Sequence, residues 1–216
     1  MKQYFYGDHN AQVLLVQAVD DHDLAFLEEE YEAIRALSPG RRILMTAFRT
    51  DSWNHDLSPW EAPPVFGSEG FGNGAEETLT YVLQDLLPAA KRDCGTDPDQ
   101  VPVVIGGYSL AGLFALWAAT RTDRFAACAA ASPSVWFPDW ISYVRDHPLR
   151  TDRVYLSLGK KESKTRNPLM RQVDTCIRDL YDLLEGKERI LEWNEGNHFR
   201  DPAGRTARAF AWCLRD

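Results

Sequence analysis

Residues 101–112 read VPVVIGGYSLAG, an apolar, β-branched stretch that passes through two glycines and a serine straight into the apolar run 110–117. A buried strand that turns within a few residues into a buried helix needs cover on every side, which a layered α/β arrangement supplies. In such a strand-to-helix elbow the corner residue is strained, and a side chain two positions away on either side crowds the turn. Gly107 and Ala111 occupy those two positions around Ser109, so the segment reads as a G-x-S-x-A variant of a nucleophile elbow. The competing reading is a serine that caps the helix beginning at Leu110.

The same alternation runs along the chain. Apolar runs bounded by turn residues occur at 13–18, 43–48, 101–106, 126–131, 154–158 and 190–193, with 4–6 as a candidate edge strand. Helical patterns fall between them at 24–37, 75–92, 110–120, 139–146, 168–184 and 203–213. Strands alternating with helices predict an α/β fold, a mostly parallel sheet of about six or seven strands with helices on both faces. At 216 residues, 44% of them hydrophobic, the chain fits one domain without an inserted cap.

Residues 49–74 break the rhythm with a connection far longer than is usual between such elements. The loop carries Trp53, Trp60, Phe66 and Phe71, whereas disordered segments are poor in aromatics. An ordered flap over one end of the sheet is expected, with a self-packed surface loop as the alternative.

A serine hydroxyl is a weak nucleophile until a base takes its proton, and in elbow proteins of this type the partners follow in the order serine, acid, histidine. His9, His22 and His55 precede Ser109, and His147 precedes the strand whose end should carry the acid. That leaves His198, in the glycine-containing segment WNEGNHF (193–199) between the last predicted strand and the last helix. Beyond the strand at 154–158 the first carboxylate is Glu162, which would orient the imidazole and stabilise its charged form. Asp139 is the fallback acid, and Asp174 falls inside a helical pattern.

A developing oxyanion needs two donors. One is the backbone N–H of Leu110, and the other comes from the segment after the strand at 13–18, where Asp21 and His22 are the candidates. Trp136, Trp53, Trp60 and Phe137 are candidates for an aromatic wall against an acyl or aryl group. Lys160, Lys161, Lys164 and Arg166 gather near Glu162, either to receive an anionic substrate or as a solvated face.

Composition narrows the partners. Acidic residues outnumber basic ones 32 to 24, giving a net charge of -8 with no basic block to follow a phosphate backbone, so nucleic acid is not expected. No export signal or apolar run of membrane-spanning length is read, so a cytoplasmic protein without membrane contact is expected. Cys94, Cys128, Cys176 and Cys213 are widely spaced and suggest neither zinc nor a redox pair. The sequence sets no oligomeric state.

With GYSLAG followed by ASPSVW (131–136), and DLSPW (56–60) upstream, the chain resembles the esterase family that includes esterase D, enterochelin esterases and mycolyltransferases. The resemblance spans most of the chain, while Asp20-Asp21 stands where the family usually has an Asp-Gly turn. It implies an α/β-hydrolase sheet, no cofactor, a small-molecule ester as substrate, and cleavage or acyl transfer through an acyl-enzyme. The family's mycolyltransferases use a glutamate as acid, and Glu162 matches that place. Thioester and amide cleavage, acyl transfer and an inactive binding role are the alternatives; the resemblance does not choose among aryl, sugar, glutathione and siderophore esters.

Overall fold

The computed structural model describes residues 1–65 and 67–215, so Phe66 of the long loop lies outside the described residues. Its strands are β1 (Lys2–Gly7), β2 (Val13–Val19), β3 (Ile43–Arg49), β4 (Val103–Tyr108), β5 (Ala127–Ala131), β6 (Arg153–Gly159) and β7 (Glu188–Asn194). The helices are α1 (Asp21–Leu24), α2 (Leu27–Leu37), α3 (Trp53–Asp56), α4 (Ala75–Tyr81), α5 (Leu87–Cys94), α6 (Ser109–Arg121), α7 (Trp140–Asp146), α8 (Val173–Leu183) and α9 (Pro202–Cys213).

The strands form one sheet in the order β1-β3-β2-β4-β5-β6-β7. All neighbours are parallel except β1, which runs antiparallel to β3 at the edge. In β2 every residue is buried, and successive side chains serve opposite faces. Leu14, Val16 and Ala18 enter one core, while Val13, Leu15 and Val19 enter the other. The first core is closed by α4 to α8 and the second by α2 and α9, as an apolar strand run requires.

Helix α6 is buried from Leu110 to Thr120, which fits its lack of a polar face. Leu113, Phe114 and Leu116 are essentially inaccessible, and each such side chain contributes about 1.5–3 kcal/mol by leaving water. The helix therefore anchors the elbow at its own first residue.

Several boundaries depart from expectation. The pattern at 24–37 is two helices, because the Asp20 carboxylate accepts the Asp23 N–H while Asp23 accepts the Asp20 N–H. This reciprocal cap starts the short helix α1, and the chain turns again at Ala25 and Phe26 before α2 begins. The helix at 75–92 runs on to Cys94 through a π-helical turn at Val82–Leu86 and stops at Gly95, whose φ of +67° suits glycine. Between Leu169 and α8 the chain makes a 3-10 turn at Met170–Gln172.

Within its described residues the long loop holds α3 and a bridge between Ala62 and Phe71. Among the described residues no helix is long and apolar enough to cross a membrane. All four cysteines are free, and Cys94, Cys128 and Cys213 are buried.

Candidate active site

The chain order reverses where β2 lies between β3 and β4, which opens a crevice at the carboxyl ends of the strands. The segments that leave β2, β4, β5, β6 and β7 reach that same end. They carry His22, Ser109, Ser132, Glu162 and His198 respectively.

Ser109 has φ +56°, a left-handed conformation that costs a non-glycine residue strain energy. Its side chain does not cap α6. The hydroxyl Oγ instead lies 2.9 Å from His198 Nε2, with Ser134 Oγ at 3.4 Å on another side. Gly107, at φ +154°, faces Ala111 so closely that a Cβ on it would approach the Ala111 Cβ to 2.7 Å. That contact is the physical reason for small residues on both sides of Ser109.

His198 Nδ1 lies 2.7 Å from Glu162 Oε2, so the ring bridges Ser109 and Glu162. The other carboxylate oxygen, Oε1, accepts the Gly159 N–H at 2.7 Å, the Ser132 hydroxyl at 2.9 Å and Arg205 Nη1 at 2.8 Å. Burial raises the Glu162 pKa, but the His198 hydrogen bond and charge, the Gly159 N–H and the Ser132 hydroxyl outweigh it and hold the carboxyl below its ordinary value. Glu162 is therefore ionised at neutral pH.

Four residues that sequence reasoning did not single out complete the frame. The Arg205 side chain is 1% exposed and also bonds Tyr108, Ser132 and the carbonyls of Glu195 and Asn197. Ser132, held at φ +43°, places its hydroxyl between Arg205 and Glu162. The Tyr108 hydroxyl donates to the His198 carbonyl at 2.7 Å, and burial pushes its pKa up to about 12. The Ser134 N–H donates to the Ser109 carbonyl at 3.0 Å. Arg205 had one legible signal: with Ala209 and Cys213 it occupies positions i, i+4 and i+8, a charge on an otherwise apolar stripe.

Two cavities meet at Ser109 and His198. One, of about 490 Å³, is walled by His22, Phe26, Glu29, Glu30 and Trp53; the other, of about 430 Å³, by Trp136, Lys161, Lys164, Met170 and Ser134. Phe199, 82% exposed, stands at both. The His22 side chain reaches the site wall and the Asp21 carboxylate pairs with Arg49, with Arg49 Nε at 2.5 Å, while the backbone N–H groups of both stand in the first turn of α1. Leu110 N–H stands in the first turn of α6, where no earlier helical carbonyl can take it.

Trp60 and Phe137 line neither cavity, which corrects their reading as substrate contacts. Trp60 Nε1 donates to the Pro138 carbonyl at 3.0 Å and its ring packs on Phe137 and Tyr143, while Phe137 is 2% exposed. Both serve to fasten the long loop to the segment after β5. Lys160 pairs with Glu195 rather than facing a cavity. Asp139 is the residue that introduces α7, and Asp174 pairs with Arg178 at 3.1 Å. Among the described residues no group of three or more His, Cys, Asp or Glu could hold a metal ion.

A family model described as Putative esterase matches residues 47–179, more than half the chain. No curated protein matches. Among solved structures the chain is similar to the siderophore hydrolase EstA from Aspergillus nidulans, with TM-score 0.74 and 20% identity over 94% of this chain and 82% of that one. It is also similar to the enterobactin esterase FES from Shigella flexneri, with TM-score 0.68 and 16% identity over 98% of this chain and 54% of that one. An S-formylglutathione hydrolase from Agrobacterium tumefaciens shows TM-score 0.66 and 13% identity over 98% and 88%. At these identities the three share the fold.

Proposed function

The chain belongs to the Putative esterase family of α/β hydrolases, and on that premise we propose that it hydrolyses carboxylic esters through an acyl-enzyme on Ser109, with His198 as base and Glu162 as acid. The observation that carries this reading is the continuous path from Ser109 Oγ to His198 Nε2 and from His198 Nδ1 to Glu162 Oε2, at 2.9 and 2.7 Å. Both distances lie within hydrogen-bond reach, as proton transfer requires.

Ser109 Oγ attacks the ester carbonyl while His198 Nε2 takes its proton, and Glu162 stabilises the imidazolium. The Leu110 N–H and an N–H at the start of α1, that of His22, receive the oxyanion. His198 then returns the proton to the departing alcohol, leaving the acyl group on Ser109. Water, deprotonated by His198, attacks the acyl carbon, and collapse releases the carboxylic acid and restores the serine hydroxyl.

Two cavities meeting at Ser109 suit a small ester laid across the serine, acyl part on one side and alcohol on the other. The structural neighbours named for a siderophore, S-formylglutathione and enterobactin differ too much in substrate to select one.

The test is hydrolysis of short and medium p-nitrophenyl esters by the wild type and by Ser109→Ala, His198→Ala and Glu162→Ala, with fluorophosphonate labelling. Labelling at Ser109, with turnover abolished in the serine and histidine variants and strongly reduced in the glutamate variant, is the expected result. Normal turnover by Ser109→Ala would overturn the reading.

A further inference from the structure

Arg205 is the most completely bonded charged side chain near the site, and the reaction as written gives it no step. Its guanidinium, buried between α9 and the strand ends, reaches four separate segments. Nη1 meets the Tyr108 hydroxyl at 3.1 Å, Ser132 Oγ at 3.1 Å and Glu162 Oε1 at 2.8 Å. Nη2 donates to the carbonyls of Glu195 at 2.9 Å and Asn197 at 3.1 Å, in the loop that carries His198. One planar fork thus joins the residue before the nucleophile, the segment after β5, the acid and the loop of the base.

We propose that Arg205 is the positioning residue of this esterase, fixing which carboxylate oxygen of Glu162 faces His198 and moderating the charge that His198 feels. The assignment rests on the reading of Ser109, His198 and Glu162 as the reacting set. A carboxylate free to turn can offer either oxygen to the imidazole. Here Oε1 is occupied by Arg205, Ser132 and the Gly159 N–H, so Oε2 alone is left for Nδ1.

The packing leaves no slack for that carboxylate to move. A Cβ built on Gly159 would lie 2.7 Å from the Gly196 carbonyl, 2.8 Å from Glu162 Oε1 and 3.0 Å from Arg205 Nη1. Bidentate reach to two partners at fixed angles is a property of guanidinium that an ammonium lacks.

Charge gives a second consequence. The Arg205 cation lies against the far oxygen of Glu162 and against the His198 loop, so it opposes an imidazolium there. Without it the Glu162 charge acts on His198 alone, the imidazolium gains stability, and the neutral base appears only at higher pH. The other ionisable groups around His198 include Tyr108 beside the ring, Glu195 and Arg200 in its own loop, Asp20, His22, Asp23, Glu29, Glu30 and Asp201 along one cavity, and Lys161 and Lys164 along the other. All of them stay in place when Arg205 alone is changed.

The experiment compares wild type, Arg205→Lys and Arg205→Met in kcat/KM against pH, with rates expressed per site titrated by fluorophosphonate so that unfolded protein is not counted. Arg205→Met is expected to lose at least about tenfold in kcat and to move the acid limb up by about one pH unit. Arg205→Lys keeps the charge, so its limb stays at the wild-type position while kcat per site still falls several-fold. Wild-type kcat with an unmoved limb in Arg205→Met would overturn the proposal. If that variant does not fold, Arg205→Lys decides: reduced kcat at an unmoved limb supports the role, and wild-type kcat and KM overturn it. Wild type that takes no label at Ser109 would instead sink the reacting set itself, and the role of Arg205 with it.

Discussion

The hydroxyl of Tyr108 donates to the backbone carbonyl of His198 at 2.7 Å, with the two rings 5.1 Å apart between centroids. The residue directly before Ser109 thus holds the loop of His198, although 90 positions separate Tyr108 from His198. Ser109 follows Tyr108 along the chain and the His198 carbonyl is held by the Tyr108 hydroxyl, so one residue links the two segments.

Removing that tie gives a first prediction. Tyr108→Phe keeps the ring but deletes the donor, leaving the His198 carbonyl without it. A lost hydrogen bond of this kind is worth about 1 kcal/mol. If it is spent on positioning, kcat falls about five- to tenfold while KM changes little. Steady-state kinetics with a parallel thermal melt checks this, and an unchanged kcat would show that ring packing alone holds the loop.

The elbow gives a second. Gly107→Ala forces a Cβ to within 2.7 Å of the Ala111 Cβ at a φ of +154°, so the turn must distort and the rate of fluorophosphonate labelling should collapse. Ala111→Gly introduces no such contact. It should label at a near wild-type rate and lose only the helix cost of glycine, about 1 kcal/mol in stability. Equal labelling by Gly107→Ala would show that the turn has room to spare.

What the sequence disclosed and what it hid follow from how local each signal is. Ser109, Glu162 and His198 could be singled out as candidates because strand ends recur in a fixed order and each leaves few choices. Strands β2 to β6 were legible because strands covered on both faces are continuous apolar runs, while of the half-buried edge strand β7 only the short stretch at 190–193 stood out. The extent of β1 and its antiparallel direction were not, since an edge strand with half-buried residues has no such run. The role of Trp60 and Phe137 was hidden because an aromatic reads alike in a cavity wall and in a core. Arg205 was hidden because its value lies in five partners on four distant segments.

The two tryptophans of the long loop separate packing from contact with substrate, which is a third prediction. Trp60→Ala removes a ring packed on Phe137 and Tyr143 together with its bond to Pro138. It should cost about 3 kcal/mol or more in stability and leave KM for a short ester nearly unchanged. Trp53→Ala, at the wall of the larger cavity, should do the reverse, raising KM for aryl esters with a smaller change in stability. Denaturant melts and kinetics on both variants decide, and matched behaviour would place both rings in one role.

The larger cavity also holds a group whose titration should limit stability. Glu30 is 8% exposed, and burial pushes its carboxyl from the ordinary 4.5 up to about 8, partly offset by the Gln17 side-chain amide that donates to it at 2.6 Å. The folded protein therefore keeps a proton on Glu30 that the unfolded chain gives up near pH 4.5. Between those two values the folded state binds more protons, so stability falls as pH rises. Below pH 4.5 the group contributes no penalty, and above about 8 the penalty is complete, on the order of a few kcal/mol. Asp23, raised to about 6 mainly by burial and then by the charge of Asp20, pulls the same way over a lower range. Glu30→Gln supplies a permanently neutral group that can still accept from Gln17, so it should melt close to wild type at pH 4, where the Glu30 penalty is absent. At pH 8.5 it should melt several degrees higher. Thermal melts of both proteins across that range test the claim, and parallel curves would show that Glu30 is ionised in the folded protein throughout.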